Sequence, residues 1–344
     1  MTVRGTIPGL QRATVYHYRL CAQDSAQQGG PGCGADKQFT TQTYGCGETV
    51  TTSFRLTGDL DCPQEAGFIV GGNGIDINLA GHTMFGGITV GGGGPTGVDN
   101  TGGYDDVTIR NGTVQSFGTG IFTADASRNH VLNITASAAG NAVDIDSGVD
   151  NEIRHGDMFG RSIGIFATGP GLIVADTRAE GVFGDGISAT GDNPRIVRNR
   201  AIRTLAAFPI AAGIRVEGSN GRLADNFVSG AWSSGGLVVG GSNLVVVDNQ
   251  VFDATKPDVP DPTPELGDGI FVDAFSTGIV LRGNRAERNG GDGIDVRASG
   301  ASLESNAGFN NGGWGILAVN GVTDLGGNTA GGNGAGQCEN VFCP

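Results

Sequence analysis

The chain is short of positive charge and has no long apolar run. Only 21 lysines and arginines stand against 35 aspartates and glutamates, so the net charge is −14 at pH 7. That balance argues against nucleic acid or an anionic membrane as a partner. No run of about 18 apolar residues occurs, so we predict no membrane span. The opening residues, MTVRG, also lack the apolar stretch of a signal peptide.

Metal-ligand spacings are missing as well. The four histidines are scattered along the chain. The six cysteines form no Cys-x-x-Cys or Cys/His motif, and they fall instead into close pairs: Cys21/Cys33, Cys46/Cys62 and Cys338/Cys343. We interpret the pairs as three local disulfides, which are typical of exported proteins. We therefore expect an extracellular or cell-surface location, with the signal peptide outside this chain.

Glycine, by contrast, is abundant, at 64 of 344 residues. Much of it belongs to a repeat in which a small residue precedes an aliphatic one. The repeat occurs at Gly120-Ile121, Ala142-Val143, Gly164-Ile165, Gly186-Ile187, Gly213-Ile214, Gly236-Leu237, Gly269-Ile270, Gly293-Ile294 and Gly315-Ile316. The aliphatic members, which we call markers, are 22, 22, 22, 27, 23, 33, 24 and 22 residues apart. A period in the twenties, sustained in this way, indicates a stacked repeat architecture.

Each period predicts short strands and no helix. Apolar and polar residues alternate after a marker, as in residues 294–297 (IDVR), which is the pattern of a half-buried strand. A second aliphatic run follows about ten residues later, and three residues after it the later coils place an asparagine. These are Asn199, Asn226, Asn249, Asn284, Asn306 and Asn328, with Asp176 at the corresponding place one coil earlier. Stacked coils would turn the column into a hydrogen-bonded amide ladder.

The repeat resembles a known family. Residues 75–83 (IDINLAGHT), 107–114 (VTIRNGTV) and 291–296 (GDGIDV) are similar to the repeats of right-handed parallel β-helix proteins of the pectate-lyase-like superfamily. The resemblance covers about residues 46–344. It implies an all-β fold, a right-handed single-stranded parallel β-helix. It leaves activity open, because the superfamily holds lyases, hydrolases, epimerases and proteins with no known reaction.

The chain divides into four predicted parts. Residues 1–43 resemble the last two strands of a fibronectin type III domain, with Tyr16 as the corner tyrosine, so we hypothesise that the chain begins inside a longer protein. A simple hairpin packed on the end of the helix is the alternative. Residues 44–66 form a disulfide-closed cap, 67–335 the parallel β-helix, and 336–344 a disulfide-closed tail.

Two coils are longer than the rest. The extra residues are 205–209 (LAAFP) and 253–265, a segment that holds four prolines. Both insertions enter just before a marker strand, so we expect them on the same side of the solenoid. Long loops that interrupt a repeat often lie on its functional face, although a tolerated surface insertion explains them equally well.

Because successive side chains of a strand alternate between its two sides, the sequence also predicts which side chains of the marker strands point outward. Three groups of charged residues compete for a chemical role. The groups are Asp268, Asp273, Asp292, Asp295 and Arg297, suited to glycoside hydrolysis; Asp144, Asp146 and Asp185, suited to Ca²⁺; and Asp185, Arg215 and Glu217, suited to β-elimination from a uronate. Substrate contacts are expected from Arg215, Glu217, Phe166, Phe271 and Trp314, since rings cover sugar faces. An aspartate before Gly-Ile is also a common turn-capping residue.

Two functions follow as hypotheses. In the first, the chain is an exported polysaccharide lyase or glycoside hydrolase whose groove runs along the marker strands. In the second, it is a non-catalytic solenoid that binds glycan at a cell surface. The R-x-P-x-x-R lyase motif, the D-P-H-E motif of alginate epimerases and the polygalacturonase motif set are all missing, so catalysis stays open. Polysaccharide is the expected partner in both cases, and we expect a monomer.

Overall fold

The computed structural model describes residues 7, 10–22, 32–41, 44–87, 93–204, 211–232, 235–255 and 267–344. Within these ranges every regular element is a β-strand, as the sequence predicts. No helix among them is long and apolar enough to cross a membrane. The insertion at 205–209 lies outside the described residues, and of the insertion at 253–265 only residues 253–255 lie inside them.

The markers lie in one parallel sheet of thirteen strands, the marker sheet. Its strands are Glu48–Val50, Phe68–Val70, Thr96–Asn100, Thr119–Ala124, Val143–Asp146, Ile165–Thr168, Ile187–Asp192, Ala212–Ser219, Gly235–Ser242, Asp268–Val272, Ile294–Val296, Trp314–Ala318 and Gly336–Glu339. Each strand pairs with the strands one coil before and after it, so the sheet runs the length of the solenoid.

A 22-stranded parallel sheet forms the rest of each coil. The strands that follow the marker strand, here called middle strands, are Phe54–Arg55, Asp76–Asn78, Thr108–Phe117, His130–Ala138, Glu152–Arg154, Ile173–Ala175, Arg195–Val197, Arg222–Ala224, Val245–Val247, Val280–Arg282, Ser302–Glu304 and Thr323–Gly326. The third strands are Leu60–Cys62, Thr83–Gly86, Asp157–Gly160, Arg178–Glu180, Arg200–Ile202, Phe227–Ser229, Gln250–Phe252, Arg285–Glu287, Ala307–Phe309 and Thr329–Gly331. Strands Thr108–Phe117 and His130–Ala138 run through both positions.

The register of the marker sheet confirms the predicted stacking. Ile121 is the Cα partner of Val143, and Val143 is the partner of Ile165. Each of these side chains is buried in one continuous apolar core. The residue before the marker must be small because coils approach closely there. At Gly293, for example, a Cβ atom would lie 2.4 Å from the carbonyl oxygen of Gly315.

The predicted asparagine ladder is present. The backbone N–H and the side-chain amide of Asn226 both donate to Oδ1 of Asn249, at 3.0 and 2.9 Å. One position of the prediction was wrong, because Thr177 and not Asp176 donates to Asn199 at the start of the ladder. A second ladder, not predicted from the sequence, joins Asn289, Asn311 and Asn333.

The chain ends are closed by disulfides in the predicted pairing. The bonds are Cys21–Cys33, Cys46–Cys62 and Cys338–Cys343, and no cysteine is free. The N-terminal segment forms an antiparallel hairpin from Val15–Tyr18 and Lys37–Thr40, with a smaller pairing of Cys21–Ala22 and Gly32–Cys33. The backbone N–H of Gln11 donates to the Tyr16 hydroxyl at 2.7 Å. A hairpin is therefore present, whereas its kinship with fibronectin domains stays a prediction.

Candidate functional site

Three carboxylates meet on the outer side of the marker sheet. Asp268 and Asp292 both precede a Gly-Ile marker, and pairing of Ile270 with Ile294 places them in adjacent coils. Asp295 follows the second of these markers and therefore lies beside them. One carboxylate oxygen from each of the three aspartates lies within 4.8 Å of the other two. We call Asp268, Asp292 and Asp295 the carboxylate cluster.

Backbone donors of successive coils fix two members of the cluster. The N–H of Asp292 donates to Oδ1 of Asp268 at 2.7 Å, and the N–H of Trp314 donates to Oδ1 of Asp292 at 2.5 Å. Each aspartate thus caps a backbone donor in the coil above it. This is the turn-capping role that the sequence also allowed, and it orients both side chains before any ligand arrives.

The second carboxylate oxygen of Asp268, Oδ2, takes no part in the bond to Asp292. The residue is 1% exposed, and its Oδ2 atom has no hydrogen-bond partner among the residues that the structure describes. The pKa of Asp268 is raised to about 8, chiefly by burial; the negative charges of Asp295 and Asp292 also raise it, whereas the N–H of Asp292 and the charge of Arg297 lower it. At neutral pH the buried carboxyl therefore holds a proton, which makes it an acid within reach of two other carboxyl groups.

Arg297 carries the positive charge of the cluster. Its Nε and Nη2 atoms donate to Oδ2 of Asp295 at 2.9 and 2.8 Å. The guanidinium carbon also lies 5.2 Å from the centre of the Phe271 ring. The arginine is thereby held between a carboxylate and a ring, and it offsets the charge of an aspartate that is only 1% exposed.

The expectation that the outward side chains of the marker strands are open to solvent is wrong in these coils. Asp268, Asp295 and Phe271 are all buried. Phe271 packs with Ala212 and Val238 in a small apolar cluster that is separate from the main core. Asp295 and Phe271 each follow a marker by one residue, so alternation places them on the opposite side, but packing across neighbouring coils removes that side from solvent. Trp314 and Phe166 remain partly exposed.

Asp273 does not join the carboxylate cluster, contrary to its predicted place in that group. It follows Asp268 by five residues, about 16 Å along an extended strand. Its Oδ1 atom accepts the N–H of Phe275 at 2.8 Å and the hydroxyl of Ser276 at 3.0 Å. This turn holds the Phe275 ring 95% exposed to solvent. Sequence reasoning missed Phe275, and only its position in a tight Asp-Ala-Phe-Ser turn could have suggested it.

The predicted β-elimination group forms an ion pair instead of an open acid–base set. Nε of Arg215 lies 3.1 Å from Oδ2 of Asp185, and the N–H of Ala212 donates to Oδ1 of Asp185 at 2.6 Å. Burial raises the pKa of Asp185, and the charge of Arg215 opposes that rise. Glu217 is exposed at the far end of the same strand as Arg215.

The three aspartates predicted to bind Ca²⁺ do not come together. Asp144 pairs in register with Phe166, which in turn pairs with the coil that holds Asp185, so the two residues lie two coils apart, about 9.6 Å along the axis of the solenoid. Asp144 accepts the Asn141 amide at 2.9 Å, and burial raises its pKa. Asp146 is exposed. Among the described residues, the carboxylate cluster is the only acidic group compact enough to share one cation.

Fold and register define a right-handed parallel β-helix. The model of the right handed beta helix region family matches residues 96–208 and 207–333, which is more than half of the chain. The chain therefore belongs to the right-handed β-helix family. No curated protein matches it in sequence.

Two solved structures share the fold. The catalytic domain of a GH87 alpha-1,3-glucanase, in complex with tetrasaccharides, is 16% identical with a TM-score of 0.54, over 82% of this chain and 63% of that chain. The A-module of the Azotobacter vinelandii mannuronan C-5 epimerase AlgE4 is 11% identical with a TM-score of 0.55, over 87% and 88% of the two chains. The present chain thus spans less than two thirds of the glucanase domain, and at these identities the likeness extends to the fold alone.

Proposed function

We propose that this protein acts on polysaccharide, with the carboxylate cluster of Asp268, Asp292 and Asp295 as its reaction centre. The observation that carries the proposal is the convergence of three carboxyl groups within 4.8 Å on the outer side of the marker sheet. Cleavage of a glycosidic bond needs one carboxylic acid to protonate the leaving oxygen and one carboxylate to act as base or nucleophile. That two proteins of this fold are named for action on glucan and on mannuronan is consistent with such a substrate.

The roles within the cluster follow from its environment. Asp268 is the proton donor, because burial keeps its carboxyl protonated near neutral pH. Asp292, which is more exposed than the other two, is the carboxylate that meets water or the anomeric carbon. Arg297 holds Asp295 in place and limits the total negative charge. Trp314, whose N–H is capped by Asp292, offers a partly exposed ring to a sugar.

Three disulfides and the absence of a free cysteine support an exported protein, which is where an enzyme or binder of polysaccharide would work. We propose an extracellular or cell-surface location and a monomeric state. Sedimentation of the purified protein tests the second point.

Digestion of α-1,3-glucan, mannuronan and polygalacturonate tests the activity, with and without Ca²⁺. Release of reducing ends reports hydrolysis, and ultraviolet absorbance of unsaturated products reports elimination. We expect Asp268→Asn and Asp292→Asn each to lower turnover by at least about 100-fold, as for a general acid or base. Asp146→Asn, an exposed change on the same sheet, should leave turnover intact. If all three variants turned over substrate as fast as the wild type, the carboxylate cluster would not be the reaction centre.

The alternative is a non-catalytic glycan-binding solenoid. The burial of Asp268 and Asp295, each 1% exposed, favours it, because a substrate must come within hydrogen-bond reach of a catalytic acid. Glycan binding without product release, unchanged by Asp268→Asn, would support this function over the enzyme. Binding of Ca²⁺ by the wild type that is lost in Asp292→Asn would instead identify the cluster as a cation site.

A further inference from the structure

A second region of the solenoid concentrates positive charge. Six arginines lie on or beside the outer faces of the middle and third strands between residues 173 and 229, and they are Arg178, Arg195, Arg198, Arg200, Arg203 and Arg222. The chain as a whole carries a net charge of −14, so its average composition does not account for this concentration. The region belongs to a different sheet from the carboxylate cluster.

The arginines are stacked in register. Arg195 is the Cα partner of Arg222 in the next coil, and Arg178 is the Cα partner of Arg200. Neighbouring strands are only about 4.8 Å apart, and like charges directly opposite each other destabilise a sheet. Two such pairs side by side therefore carry an electrostatic cost unless anions lie between them.

Part of this charge is offset within the chain. Glu180 forms ion pairs with both Arg178 and Arg203, and Asp176 accepts Nε of Arg198 at 2.7 Å. The remaining three arginines, Arg195, Arg200 and Arg222, are exposed and have no carboxylate ion-pair partner among the residues that the structure describes.

An aromatic surface adjoins the unpaired guanidinium groups. The guanidinium carbon of Arg200 lies 4.5 Å from the centre of the Phe227 ring. The Phe227 ring lies 5.7 Å from the ring of Phe252 in the next coil. Beyond them, Phe252 and Arg285 line an open depression of about 540 Å³. Rings that pack on sugar faces thus stand beside planar cations that match carboxylates.

We propose that Arg195, Arg200 and Arg222, together with Phe227, form a binding strip for an acidic polysaccharide, a polymer of sugars that bear carboxylates. The stacked arginines bind carboxylates of successive residues, and Phe227 packs against a sugar ring. The strip is independent of the carboxylate cluster, so it can anchor a polymer that the cluster does not cleave. Its failure would leave the proposed reaction centre untouched.

Charge favours a glycan over nucleic acid. Nucleic-acid-binding domains are typically basic overall, whereas this chain carries a net charge of −14. Asp176, Glu180 and Asp225 border the strip and confine its positive charge to a narrow line. A polyuronate with one charge for each sugar needs only a narrow line of cations.

The test is binding of polygalacturonate to the full chain by isothermal titration calorimetry, at low and at moderate salt. A neutral glucan and a single-stranded DNA oligonucleotide are titrated separately for comparison. The variants are Arg195→Gln/Arg222→Gln and Arg200→Gln. The matched control is Arg110→Gln/Arg128→Gln, because those arginines are partly exposed, each is paired with a carboxylate, and both lie outside the strip.

We expect the Arg195/Arg222 variant to weaken polygalacturonate binding at least tenfold and to reduce its salt dependence, whereas the control changes affinity less than twofold. Thermal stability of the variant should stay equal or rise, because a repulsion is removed. Equal losses in variant and control, undiminished binding by the variant, or tighter binding of glucan or of DNA than of polygalacturonate would each overturn the proposal.

Discussion

The backbone N–H of Asp292 donates to Oδ1 of Asp268 at 2.7 Å, across the gap between two coils. The same bond recurs between Trp314 and Asp292. At Asp268 the second oxygen has no hydrogen-bond partner among the described residues, so this aspartate can serve the fold through one oxygen and chemistry through the other. This motif can therefore have both a structural and a catalytic role, and variants are needed to distinguish the two.

Asp268→Asn separates them by pH. Asparagine keeps Oδ1 as the acceptor for Asp292 and cannot ionise. The folded pKa of Asp268 is raised to about 8, above an unfolded value of about 3.9, so its contribution to stability is fully present below pH ~4 and is lost as pH rises through ~8. We expect the Tm of the wild type to fall more than that of Asp268→Asn between pH 5 and pH 8.

Scanning calorimetry in chelator-treated buffer measures the effect, and Asp146→Asn is the control for loss of an exposed carboxylate. Parallel Tm profiles for the wild type and Asp268→Asn would show that Asp268 does not change its protonation over this range.

Arg297→Gln should be strongly destabilising. The change leaves Asp295, 1% exposed, without the guanidinium that donates to its Oδ2 atom. Breaking a buried ion pair from one side costs about 3–5 kcal/mol of unfolding free energy. Addition of Asp295→Asn should restore part of that loss, since the buried charge is then absent. Urea denaturation of the single and double variants measures both values, and a double variant no more stable than Arg297→Gln would contradict the charge argument.

Asn249→Ala tests the ladder. Asn249 accepts the N–H and the amide of Asn226, and it donates to Oδ1 of Asn284 at 3.0 Å. Alanine leaves buried polar groups above and below without partners, at about 1–3 kcal/mol for each group. We expect a loss of about 3 kcal/mol in urea denaturation. The neighbouring exposed change Gln250→Ala should stay within about 0.5 kcal/mol, and similar losses for both would show that the ladder adds no stability.

Phe275→Ala tests a sugar platform on the turn that follows the Asp268–Val272 strand. The ring is 95% exposed and its turn is fixed by Asp273, so removal should leave the free energy of unfolding unchanged. Loss of one ring–sugar contact of about 1 kcal/mol should weaken polysaccharide binding roughly fivefold. Affinity electrophoresis measures this. Phe342→Ala, 73% exposed in the disulfide-closed tail, is the control, and an equal change in both variants would exclude a specific platform.

Much of the fold was readable from spacing. Markers such as Ile121 and Val143 repeat at 22 residues, and a constant period in a stacked solenoid fixes which side chains lie above one another. The second ladder through Asn289 and Asn311 has the same spacing, so its signal was also present in the sequence although we did not use it. Alternation along the strands placed Asp295 on the side opposite its marker, but Asp268 and Asp292 each precede a marker by two residues, so alternation alone does not bring them to Asp295.

The sequence by itself determined the parallel β-helix, its register and the three cysteine pairs, because these depend on periodicity and on nearness along the chain. Only the tertiary structure decided that Asp185 is paired with Arg215. It also decided that, within the described part of the chain, a buried oxygen of Asp268 has no hydrogen-bond partner and Arg195 stands over Arg222 with no carboxylate paired to either. These properties depend on side chains from neighbouring coils, whose distances and burial arise only when the coils are packed together.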